Sequence, residues 1–76
     1  MNKTDRQELC SIKSQIQELV DKLREMGEIE QEKFDNLTEG LQASERGQRY
    51  QECADCMESV CSTIEEALEE LEECEY

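Results

Sequence analysis

The stretch 9–26, LCSIKSQIQELVDKLREM, places apolar residues at Leu9, Ile12, Ile16, Leu19, Leu23 and Met26. Steps of three and four alternate there without a break. Such spacing returns each residue to one side of an α-helix and, sustained over heptads, makes a coiled-coil seam. Val20 widens the seam by one position. A first helix is predicted over about residues 4–35. Thr4-Asp5-Arg6-Gln7 reads as its capping box, in which the Thr hydroxyl accepts from the third helical amide and the Gln reaches back. The regularity weakens at Gly27, where a loosening of the helix is expected, and Ile29 and Phe34 fall off the seam.

Downstream, FDNLTEGLQASERG (34–47) interrupts the pattern. Asp35, Asn36 and Gly40 are turn formers, Leu37 and Leu41 are expected to fold a short helical turn over the bend, and Ser44 is a good N-cap. A second helix is predicted over about 45–74. Its apolar residues are Tyr50, Cys53, Met57, Val60, Ile64, Ala67 or Leu68, and Leu71, which share an arc of about 120°. The fold class is therefore all-α: a single domain, 1–76, made of a two-helix antiparallel hairpin with its elbow at about 36–44, both seams facing inward. Two helices cannot cover two full apolar stripes, so the hairpin is expected to form a homodimer, a four-helix bundle or coiled coil. Leu9, Ile12, Ile16, Leu19, Leu23, Met26, Met57, Val60, Ile64, Leu68 and Leu71 would line the contact.

Composition agrees with this reading. Seventy-six residues without proline and with three glycines leave too few turns for a sandwich or barrel. The core of so short a chain is thin, and a partner subunit is one way to supplement it. The net charge is −13, which argues against direct contact with nucleic acid, since phosphates call for Lys or Arg. It also disfavours an anionic membrane surface. No apolar run approaches the length of a membrane span, and the first residues carry no hydrophobic signal region. A cytoplasmic location is expected, with the five cysteines mostly reduced.

The charge is unevenly spread. Residues 1–49 hold eleven acids and eight bases, whereas residues 50–76 hold ten acids and no base. In the closing stretch SVCSTIEEALEELEECEY (59–76) like charges stand four apart, each such pair unfavourable by about 0.2–0.5 kcal/mol, and anions crowd the wrong end of the helix macrodipole. Burial of Ile64, Leu68 and Leu71, at roughly 1.5–3 kcal/mol each, outweighs this.

Other candidate chemistry is poorly supported. Cys53-x2-Cys56-x4-Cys61 hints at zinc, but on one helix Cys56 and Cys61 lie about 140° apart around the axis, and Cys74 is roughly 20 Å beyond Cys61. Four ligands do not converge as structural zinc requires, so no metal site is expected and the three cysteines are read as small core residues. DNLTEG lacks the acids of a calcium loop at Leu37 and Arg46. There is no histidine, no phosphate loop and no nucleophile motif, so no catalytic residues, no enzyme activity and no cofactor are expected.

The segment EQEKFDNLTEGLQASERGQRYQECADCMESV (30–60) resembles small acidic helical proteins encoded by phages and mobile elements of Firmicutes. The Phe-Asp-Asn-Leu elbow, the Leu-Gln pair, the Ser-Glu-Arg-Gly helix start and the Glu-rich second helix carry the resemblance. The chain departs from that group at Thr38, where proline is usual, and at Cys53, Cys56 and Cys61, where alanine-like residues are usual. The resemblance implies a viral or mobile-element origin and a helical hairpin, with no settled activity.

Between Glu65 and Glu75, seven carboxylates occupy about 15 Å of helix, close to the charge spacing of duplex DNA, about one per 1.7 Å. Such a strip can compete for a basic groove. The expected function is therefore protein binding: a phage-encoded inhibitor of a host nucleic-acid-handling or defence protein, with Glu65, Glu66, Glu69, Glu70 and Glu73 meeting a basic surface. A structural or adaptor coiled coil is the alternative, and a small-molecule binder formed between protomers is a third. A solvated face that only keeps the chain soluble is the plain counterpart to these.

Overall fold

The computed structural model describes residues 1–76. Helix α1 spans Lys3–Asp35, α2 is a single turn over Glu39–Gln42, α3 spans Glu45–Glu70, and a 3-10 turn, Leu71–Cys74, follows directly. There are no strands.

Helix α1 begins earlier than the capping box suggests. Asn2 is in extended conformation and its side chain accepts from the Asp5 amide at 2.8 Å. Asn is as strong an N-cap as Thr, and capping two residues sooner leaves Thr4 inside the first turn. The helix runs without interruption through Gly27, which is buried. The expected loosening is absent because this glycine marks a close approach: a Cβ built there would lie 3.2 Å from the Met57 Cβ.

The elbow is held by caps and by a side chain returning to backbone. Asn36 caps α1, its backbone N–H donating to the Glu32 carbonyl at 3.0 Å. Thr38 is extended and ends helical pairing, and Gln42 donates from its side chain to the Phe34 carbonyl at 3.1 Å. Ser44 then caps α3, its Oγ accepting from the Gly47 amide at 3.2 Å.

Helices α1 and α3 lie side by side and run in opposite directions. The Cys61 thiol donates to the Val20 carbonyl, Sγ···O 3.7 Å. Gly27 sits against Ala54 and Met57, and Gln31 and Gln51 exchange hydrogen bonds at 2.9 and 2.7 Å. Position numbers rise along α1 as they fall along α3. The line of contact is built from small or compact residues seven apart: Val20 and Gly27 on α1, Ala54 and Cys61 on α3. Small side chains let two helix axes come close.

This line is displaced from the predicted seams, so the expectation that both face inward holds for half of the seam on α1 and for all but Val60 of the seam residues Met57, Val60, Ile64, Leu68 and Leu71. Leu9, Ile16, Leu23, Met57, Ile64, Leu68 and Leu71 are half-buried at the margin of the contact. Ile12, Leu19, Met26 and Val60 stay 47%, 63%, 55% and 41% exposed. A pair of helices can bury only one narrow line, and closest approach is possible where Gly and Ala replace Leu and Ile. The fully buried apolar residues are Val20, Ala54 and Cys61 alone. The molecule measures 59 × 16 × 12 Å, with a radius of gyration of 17.5 Å, against ~11 Å for a compact chain of this length.

Candidate functional site

Viewed along its length, the helix pair has one polar and one apolar flank. The polar flank is again a heptad device. Gln17, Arg24 and Gln31 on α1 stand seven apart and face Gln51, Glu58 and Glu65 on α3, also seven apart. Arg24 donates to both oxygens of Glu65, at 2.7 and 3.3 Å, and its Nε lies 3.6 Å from Glu58. Gln17 adds a bond to Glu65 at 3.4 Å. The hydrogen bond from Arg24, then that from Gln17, hold the Glu65 carboxyl below the usual carboxylate range, and the same pairing raises Arg24. Near the open end Lys13 binds Glu75 at 3.0 Å, which raises the lysine.

The five carboxylates expected to meet a partner therefore divide. Glu65 is engaged across the helix pair. Glu66, Glu69, Glu70 and Glu73 are exposed, and none of them belongs to any of the molecule's five ion pairs. Glu66, Glu69 and Glu73 occupy the side of α3 turned away from the apolar flank, and Glu70 stands at that flank's edge. The rigid scaffold beneath them comes from the Ser44 cap and from the contact of Ala54 and Cys61 with α1. Their placement was legible in the sequence. The tie on Glu65 was not read there, although the polar residues at 17, 24 and 31 opposite 51, 58 and 65 are a signal for it.

The apolar flank joins residues of both helices. Ile12, Leu19 and Met26 run seven apart on α1, and Cys53, Val60 and Ala67 run seven apart on α3. Beside the α3 line lie Arg49, Cys56 and Thr63, four residues earlier in each case, and no carboxylate stands between them. Glu65, Glu66, Glu69, Glu72 and Glu73 are on the other half of the helix, and Glu70 continues the line of Arg49, Cys56 and Thr63 at the flank's edge.

Cysteines occupy three environments. Cys61 is buried, Cys53 is half-buried, and Cys10, Cys56 and Cys74 are exposed. Cys56 is thus not a core residue, because it faces outward one position beyond the apolar flank. No three side chains of Cys, Asp or Glu come together in a metal-holding arrangement. A shallow groove of about 370 Å³ runs past Cys10, Lys13, Gln17, Glu65, Leu68 and Glu72. It is crossed by the Gln17–Glu65 bond and open to solvent along its length. No helix is long and apolar enough to cross a membrane. No protein-family model, curated protein or solved structure matches the chain.

Proposed function

We propose that the protein works by binding another protein through Glu66, Glu69, Glu70 and Glu73, occupying a basic surface of the kind that holds nucleic acid. The observation that carries this reading is the unpaired state of these four carboxylates. They lie within ~10 Å of helix on a face covered by neither α1 nor the elbow, while every cation that pairs with a carboxylate beyond residue 50 is spent elsewhere, on Glu58, Glu65 and Glu75. A strip kept only for solubility gains nothing from being purely one sign. In its most concrete form the protein is a phage-encoded, cytoplasmic inhibitor of a host nucleic-acid-handling or defence protein. It has no enzyme activity and no direct contact with nucleic acid. Its subunit is an antiparallel helical hairpin that pairs with a second copy.

The test compares wild-type protein with the Glu66, Glu69, Glu70 and Glu73 to Gln variant in pull-downs from bacterial lysate at low and moderate salt. Gln keeps the side-chain length and helix propensity. The wild type is expected to retain proteins that the variant loses, that elute as salt rises, and that double-stranded DNA displaces. Equal retention by both proteins, insensitive to salt and DNA, would refute the reading.

A second reading, an adaptor whose apolar surface is the partner site, is favoured by the exposure of Ile12, Leu19, Met26 and Val60. It differs in outcome: its partners survive the Gln substitutions and are lost on Leu19→Asp.

A further inference from the structure

We infer that the exposed apolar flank docks a second copy of this chain with the elbow of each copy at the open end of the other, about a twofold axis passing beside Leu19. This rests on the self-association proposed above and specifies its geometry.

The occupant is set by the symmetry of the flank. On α1 the heptad line that carries the exposed residues reads Asp5, Ile12, Leu19, Met26, Lys33, and Leu19 is the central residue of Lys3–Asp35. Turned end for end about Leu19, the line is complementary to itself. Leu19 meets its own copy, Ile12 meets Met26, and Asp5 meets Lys33. The line on α3 behaves the same way. Gln31–Gln51 and Arg24–Glu58 show which residues are level in the two helices, and by that alignment Leu19 is level with residue 63. Reversal about that level sets Val60 against Ala67 and Cys53 against Cys74, and brings Arg49 to the partner's acidic end. A two-fold contact of this kind is isologous, each surface meeting its own copy.

Charge excludes the other two-fold arrangement, with both elbows at one end. There α1 of one copy lies over α3 of the other at matching levels. Lys33 would face Arg49, and Glu8 would approach the turn that holds Glu70. Like charges would meet at both ends of the contact, which is the way an interface rejects a wrong partner. In the antiparallel arrangement Lys33 meets Asp5, and Arg49 meets the partner's acidic end.

The area suffices. A flank about 16 Å across, covered over ~40 Å, hides on the order of 600–800 Å² per copy, the scale of a stable specific interface. The Val20, Ala54 and Cys61 core of a single copy would then be joined by Ile12, Leu19, Met26, Val60 and Ala67 from each side.

The elbow supplies the probe position. Nothing lies within 4 Å of a Cβ built at Gly40, so Gly40→Cys accepts a spin label there. Cys10, Cys56 and Cys74 are changed to Ser and Cys53 and Cys61 to Ala, so that this is the only thiol. Pulsed dipolar spectroscopy is then expected to find the two labels about 50–60 Å apart, the span of two half-lengths of helix at 1.5 Å per residue. A separation under about 25 Å in a dimer would overturn the arrangement while leaving self-association standing. A monomeric mass in sedimentation equilibrium would overturn both. With native cysteines retained, charge exchange gives an independent reading. Asp5→Lys is expected to weaken dimerisation several-fold and Asp5→Lys with Lys33→Asp to restore it. Failure of the second change to restore what the first removes would count against the Asp5–Lys33 contact and the twofold that requires it.

Discussion

At Gly47 glycine is required by space and not by backbone freedom. No residue of the chain has positive φ, and Gly47 is an ordinary residue of the first turn of α3. A Cβ there, however, would press on the Leu41 carbonyl and lie 2.7 Å from the Gln42 carbonyl oxygen and 2.8 Å from the Gln42 Cα. Those are backbone atoms of α2 and cannot rotate away. Gly40, seven residues earlier in α2, meets nothing. The two glycines therefore predict opposite results in thermal unfolding followed by circular dichroism. Gly47→Ala is expected to destabilise by about 1–3 kcal/mol through overpacking. Gly40→Ala is expected to stabilise by about 0.4–1 kcal/mol, because alanine loses less backbone entropy in a helix. Equal responses would show that α2 does not pack on α3 as described. Gly40 and Ser44 are legible in the sequence as punctuation of the elbow. Gly27 and Gly47 are not legible as contact points, because a glycine in a helical pattern signals weakness until the neighbouring helix is in place.

Among the elements, α3 shows most clearly what periodicity conveys and what it hides. Apolar spacing located the helix, and Ser44 located its start. The apolar arc did not say which line within it would touch α1. The contact falls at the edge of that arc, and size decides it: Ala54 and Cys61 permit the closest approach. The polar line then follows, since rotating α3 to that contact brings Glu65 to Arg24. This pair predicts a pH dependence. Hydrogen bonding from Arg24 and Gln17 lowers the Glu65 carboxyl in the folded chain. A lowered carboxylate contributes stability that is complete above its unfolded value, about 4.3, and is lost as pH falls through the folded value. The stability difference between wild type and Arg24→Gln should therefore be constant near neutrality and shrink as the pH drops below about 4. A difference unchanged down to pH 2 would mean that Arg24 acts by packing of its stem and not by its charge.

As a whole molecule the chain is a 59 Å rod that hides little of itself, with one apolar flank and one acidic face on opposite sides. The fold class was readable because a seam of six apolar residues in unbroken heptad steps admits few alternatives. That the seam would be shared between an inner contact and an outer flank was not readable, since it depends on the relative rotation of two helices. The central claim is that the outer half of the seam is completed by a second copy, leaving the acidic face free. Sedimentation equilibrium at micromolar concentration tests it most directly, on the wild type and on Leu19→Asp. Leu19 is 63% exposed in a single copy, so the substitution leaves the contact between α1 and α3 intact. The expected wild-type mass is about twice 8.9 kDa, and Leu19→Asp is expected to associate at least ~100-fold more weakly from the loss of two buried leucines. A wild-type chain that stays folded at 8.9 kDa, or a Leu19→Asp variant that associates as tightly as the wild type, would contradict it.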